Sequence, residues 1–191
     1  MAVLTNPTEL PLARISCEKY HALIRSGAFT EDDRLELLNG YLIQKMSIGP
    51  NHAGAVKALN FLLSRRLGDR AIVAVQDPVT INEYSEPEPD IVVARFREDF
   101  YREKHPTPAD ILLVVEVADS SLSYDLNAKI PLYAAADIPE AWLVNLATRQ
   151  ITVFTHPDGA AYTQSRLCKS GDNLTMPGFA DVIVKVDELG W

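Results

Sequence analysis

The 191-residue sequence predicts a mixed α/β fold built on one central sheet, and three observations carry that expectation. Two apolar runs, DIVVA (90–94) and ILLVVEVAD (111–119), are continuous rather than alternating, the pattern of strands buried on both faces. Between 53 and 67, Ala53, Val56, Leu59, Leu63 and Leu67 recur at intervals of three and four, which describes an amphipathic helix. Four further short segments, AWLVN (141–145), ITVFTH (151–156), AYTQSRL (161–167) and DVIVKV (181–186), read as strands.

The remaining elements follow in chain order. Residues 1–15 read as a flexible lead-in, and 16–191 are expected to form a single domain. From Ser16 to Gly27, Tyr20, Leu23 and Ile24 fit a short helix stopped by the glycine. Asn39-Gly40 is a two-residue hairpin signal between Leu35–Leu38 and Tyr41–Met46. Asn51 is placed to cap the 53–67 helix. AIVAVQDPVTI (71–81) reads as extended. After Ser120-Ser121-Leu122-Ser123 the pattern turns helical through Ala136, with Ser121, Ser123 or Asp125 as cap and Pro131 bending it. His156-Pro157-Asp158-Gly159 reads as a turn.

Composition excludes several classes. With 47% hydrophobic and 23% charged residues, the chain is neither disordered, collagen-like nor coiled coil. Cys17 and Cys168 match no disulfide framework or metal knuckle, which suits a reducing, cytoplasmic setting. No signal peptide is visible, and the longest apolar stretch, IPLYAAADIP (130–139), falls short of the ~20 residues needed to cross a bilayer. The net charge of −8 weighs against non-specific coating of nucleic acid. It is compatible with a phosphodiesterase whose carboxylates hold a cation.

The chemistry-bearing residues are acids set in apolar strands. Asp90 opens IVVA after Glu88-Pro89, and Glu116 lies inside ILLVVEV. A buried carboxylate costs several kcal/mol unless a cation or hydrogen bonds compensate it. Two such acids at neighbouring strand ends can share a divalent ion, and hard oxygen donors suit Mg²⁺ or Mn²⁺ better than zinc. The alternatives are a strand-start turn residue for Asp90 and a partner of a buried Arg for Glu116. Lys129 and Tyr133 lie four apart on one face of the next helix, where Lys129 can reach back to Glu116 and Tyr133 can donate to a phosphate. A solvated helix Lys and a core Tyr are the plainer readings. Glu36, in LELLNG, is either a further member of the site or a hairpin surface acid. His52, at the helix start, either touches a phosphate or is a surface turn histidine. No zinc-type His/Cys spacing, nucleophile elbow or P-loop occurs. Two basic groups, Arg95/Arg97/Arg102/Lys104 and Lys57/Arg65/Arg66/Arg70, either track a phosphate backbone or form solvated faces.

Taken together the order is Leu-Glu36-Leu-Leu-Asn-Gly, then Met46 to His52, Gln76-Asp-Pro-Val, Glu-Pro-Asp90-Ile and Leu-Val-Val-Glu116-Val-Ala-Asp-Ser-Ser. Tyr-Asp125-Leu-Asn-Ala-Lys129-Ile-Pro-Leu-Tyr133 and Ile-Pro-Glu140-Ala-Trp142-Leu-Val complete it. This resembles the Uma-two family of restriction-endonuclease-like proteins, in the PD-(D/E)XK nuclease superfamily, over roughly residues 16–190. The resemblance implies a mixed central sheet flanked by helices, with an N-terminal helix and hairpin. It makes Asp90 the aspartate of the first half-motif and Glu116 the acid of the second. No lysine stands two positions after Glu116, and the resemblance implies that Lys129 has taken its role. Ala118 replaces the usual serine, and Glu36 matches an acidic position that can join the metal shell. The implied activity is Mg²⁺- or Mn²⁺-dependent hydrolysis of DNA phosphodiester bonds by a homodimer. The alternative is a catalytically silent nucleic-acid or protein-interaction module that retains the fold.

Overall fold

The computed structural model describes residues 12–191. They divide into two compact units, one made of the chain up to Lys45 with Asn82–Glu86, the other of Met46–Ile81 with Pro87–Trp191. Most of the expected lead-in therefore lies outside the described residues. Its end is tied down within the first unit, where Arg14 Nε donates to Asn39 O at 2.8 Å and Ile15 N to Gly40 O at 2.9 Å.

The first unit holds helix α1 (Cys17–Arg25) and the hairpin β1 (Leu35–Leu38) and β2 (Tyr41–Gln44). Ser16 starts α1 by accepting a hydrogen bond from Lys19 N through its side chain. The hairpin turns at Asn39 and Gly40, with φ of 51° and 82°. Positive φ at both central residues matches the right-handed strand twist, which is why Asn-Gly turns the chain here. A Cβ on Gly40 would lie 2.6 Å from Arg14 Cβ, so this glycine also allows a close approach.

The second unit is built on a six-stranded sheet in the order β3 (Ala71–Val75), β4 (Ile91–Arg95), β5 (Ile111–Ala118), β6 (Glu140–Asn145), β7 (Gln150–Asp158), β8 (Ala161–Cys168). Every neighbouring pair is antiparallel except β5 and β6, which run parallel and are joined by the helical segment between them. β4 is buried along its apolar residues and β5 along nearly all of its length, as their unbroken runs predict. Helix α2 (Pro50–Leu67) lays Val56, Leu59, Leu63 and Leu67 on one sheet face, against Ile91, Val93, Leu113, Val115 and Val117. The β9 (Asn173–Met176) and β10 (Phe179–Lys185) hairpin closes the same core with Leu174, Met176 and Val184. Since side chains alternate along a strand, Glu116 points to the other face, where the connecting segment covers it. No helix among the described residues is long and apolar enough to cross a membrane.

Local expectations are corrected at several points. The extended reading of 71–81 ends at Val75, because Gln76 takes a left-handed φ of 55° and Pro78 has no N–H to give a ladder. Gly49 and Pro50 start α2 as N-cap and first helical residue, and Asn51 lies inside the first turn. The β5–β6 connection is not one bent helix. It consists of α3 (Leu122–Tyr124), a π-helical turn (Asp125–Lys129) and α4 (Ile130–Ala135), and no side chain caps its start. The tail carries two strands where one was expected, since NLTM is too short and half polar to stand out. β7 runs through His156 and Pro157 to pair Asp158 with Ala161. The β6 ladder ends at Thr155, so a proline beyond it breaks no bond with β6.

Candidate active site

The register Ile91–Val115, continued by one residue, brings Asp90 beside Glu116 at the end of the β4–β5 ladder. At that point the Asp90 carboxylate replaces a ladder carbonyl and accepts the Val117 N–H on Oδ2 at 2.8 Å. His52, in the first turn of α2, places Nε2 3.1 Å from the same oxygen. Gln76 Nε2 donates to Oδ1 at 3.1 Å. Asp90 is thus held on both oxygens by three separate segments of the chain.

Glu116 is held from the covering segment. Tyr133 Oη, on α4, donates to its Oε1 at 2.5 Å, and Lys129 Nζ lies 3.3 Å from Oε1 and 3.4 Å from Oε2. Glu116 is 2% exposed, Lys129 6% and Tyr133 fully buried. Its partners are therefore Lys129 and Tyr133, not an arginine. The π-helical turn sets this geometry. Pro131 has no N–H and its ring crowds the carbonyl four residues back, so the preceding turn widens and Ile130 N bonds Asp125 O, five residues away. Asp125, also buried, opens that turn and accepts from Ser121 Oγ, just before α3.

The two carboxylates titrate in opposite directions. Burial pushes Glu116 well above the ordinary glutamate value; Lys129 opposes this, while the negative charges of Asp90 and Asp125 add to it. Burial also works to raise Asp90, but the hydrogen bond and charge of His52, the Val117 N–H and the Gln76 amide outweigh it and hold Asp90 below its usual value. The same Asp90 bond raises His52 above the ordinary histidine value, against its own burial.

This donor set fits a hard divalent cation. The buried Asp90 and Glu116 carboxylates stand at adjacent register positions, and the negative charges of Asp90 and Asp125 both act on Glu116. Among the described residues no group of three or more His, Cys, Asp or Glu is gathered to hold a metal. Two carboxylates suffice for Mg²⁺, which keeps several waters and completes its shell with substrate phosphates.

The structure thus brings Asp90, Glu116, Lys129, Tyr133 and His52 into one cluster. Glu36 belongs to the first unit, buried on β1 with Ile43 as its register partner. Three arginines of the two basic groups are engaged with acids: Arg66 with Glu188 at 2.6 Å, Arg70 with Asp181 at 2.8 Å and Arg97 with Asp99 at 2.6 Å. Sequence reasoning missed the contacts of Gln76 and the burial of Asp125. The left-handed backbone of Gln76 has no sequence signal, and Asp125 reads from sequence as a cap.

The family profile Uma2, described as "Putative restriction endonuclease", matches residues 17–187. No curated protein matches the sequence. Among solved structures, one described as a "putative nuclease belonging to DUF820" from Anabaena variabilis superposes with a TM-score of 0.73 at 15% identity, covering 92% of this chain and 97% of that one. At that identity the likeness shows the fold.

Proposed function

Because the chain belongs to the Uma2 family, we propose that it is a Mg²⁺- or Mn²⁺-dependent DNA endonuclease that hydrolyses phosphodiester bonds at the Asp90–Glu116 centre. The observation that carries this reading is the pair of buried carboxylates at one strand end, with the Lys129 ammonium against Glu116. Burying two carboxylates at adjacent register positions is costly, and a shared cation would offset that cost.

Asp90 and Glu116 would hold the cation. When bound, it would supply Lewis-acid activation of water and neutralise charge on the phosphate. The protein's own groups do the rest. Val117 N–H, His52 and Gln76 fix the Asp90 carboxylate, and the Tyr133 hydroxyl fixes Glu116 Oε1. Lys129, 3.3–3.4 Å from both Glu116 oxygens, would orient the attacking water and offset charge that builds on the phosphoryl oxygens. His52 and Tyr133, beside the two acids, are the proposed contacts to the phosphate. The contribution of Glu36 to the metal shell, and cutting of both strands by a homodimer, belong to the same proposal.

Plasmid cleavage in Mn²⁺ tests this reading. Asp90→Asn and Glu116→Gln are expected to abolish cleavage while circular dichroism and melting show a folded protein. Either variant cutting at the wild-type rate would contradict the assignment. Glu36→Gln, titrated with Mn²⁺ in parallel, reports whether that acid joins the shell. A folded wild-type protein that cuts no DNA at any Mn²⁺ concentration, but still binds it, would favour the silent interaction module.

A further inference from the structure

Gln76 is the one residue of the cluster whose backbone sits in a conformation that its type disfavours. It lies immediately past the last β3–β4 pair, Val75–Ile91, so that its N–H donates to Asp90 O at 3.2 Å while its side-chain amide reaches Asp90 Oδ1 at 3.1 Å. Its φ is 55°. Glycine adopts this region freely, and asparagine or aspartate visit it through local side-chain bonds; glutamine has neither advantage. Non-glycine residues in such conformations collect where the surroundings force them, and functional sites are the common setting. Glycine would suit the backbone here, but it has no amide to give to Asp90.

The division of bonds on Asp90 shows what that amide does. Oδ2 accepts from Val117 N–H at 2.8 Å and lies 3.1 Å from His52 Nε2. Oδ1 has Gln76 Nε2 as its side-chain donor. A carboxylate oxygen offers about two lone-pair sites. Oδ2 is therefore filled, and Oδ1 keeps one acceptor site while Gln76 fixes the rotation of the carboxylate plane. Groups that hydrogen-bond a metal-ligating carboxylate set its orientation and typically change affinity or activity when removed.

We infer that Gln76 is a positioning residue, kept in its left-handed conformation because its amide turns the Asp90 carboxylate so that Oδ1 faces the divalent cation. The inference rests on the proposed reading of the Asp90–Glu116 centre as a metal site, and it assigns Gln76 no contact with substrate.

Two substitutions separate positioning from fold support. Gln76→Gly removes the amide and relieves the backbone; Gln76→Met keeps the side-chain length and the strained backbone but cannot donate. Full-length wild type, both variants and Asp90→Asn are melted in EDTA and across a Mn²⁺ titration, with plasmid cleavage followed at the same concentrations. Gln76→Gly is expected to melt at or above wild type in EDTA. Both Gln76 variants are expected to need about 10- to 100-fold more Mn²⁺ for half the ion-induced rise in Tm, with cleavage shifted in parallel. If wild type gains Tm from Mn²⁺, Asp90→Asn does not, and the Gln76 variants titrate like wild type, the positioning role is overturned and the metal site stands. If wild type itself gains nothing from Mn²⁺, the metal-site reading fails and the inference falls with it.

Discussion

Neighbouring carboxylates that titrate in opposite directions give the ion-free protein a particular pH response. Asp90 is held below 3.8, so its stabilising contribution is present above that pH and is lost as pH falls through the folded-state value. Glu116 is raised well above 4.5, so the folded protein keeps a proton that the unfolded chain has released; stability declines as pH climbs from 4.5 through the folded value. His52 is raised above 6.5, and its contribution is complete below that pH and lost as pH rises through the folded value. Tm measured in EDTA from about pH 5 to about pH 9 is expected to fall, and Glu116→Gln to flatten that fall; identical slopes would contradict the assignment. Lys129→Met is expected to lower kcat by about 100- to 1,000-fold, because it removes a positioned charge. Its Mn²⁺ affinity should be kept or tightened, since a competing cation has gone from Glu116. A variant that loses ion binding instead would show that Lys129 serves the fold.

At the scale of elements, the covering segment brings Lys129 and Tyr133 to Glu116, and its shape was only partly readable. Pro131 announces a bend, and the four-residue spacing of Lys129 and Tyr133 announces a shared face; both are facts of sequence. The π-helical turn over Asp125–Lys129 is not, because a proline can bend, end or widen the preceding turn and the sequence does not say which. Pro131→Ala restores an N–H that an ordinary α-turn can use. The segment should then tighten, with Tm unchanged or higher and cleavage lower by about 10-fold or more as Lys129 rotates away from Glu116. A variant with full activity would separate the π-turn from function. The strands were legible wherever apolar runs are continuous, as in β4 and β5. They were misjudged where a single backbone conformation decides the outcome, as at Gln76 after β3.

For the whole molecule, the mixed sheet and its α2-covered face follow from periodicity, and the Asn39-Gly40 hairpin from turn chemistry. Leu59, fully buried in that core, tests the packing: Leu59→Ala should cost about 2–5 kcal/mol in denaturant unfolding, and a cost near zero would contradict it. The grouping of Asp90, Glu116 and Lys129 could be anticipated because carboxylates in apolar strands need partners and Lys129 lies on the next helical segment. The hydrogen bonds around Asp90 were not, since they join residues far apart in sequence. The most direct test is an anomalous difference map from crystals soaked in Mn²⁺. One peak is expected, shared by Asp90 and Glu116 and about 2.1 Å from a carboxylate oxygen of each. Occupied Mn²⁺ sites elsewhere, with neither acid among their ligands, would contradict it.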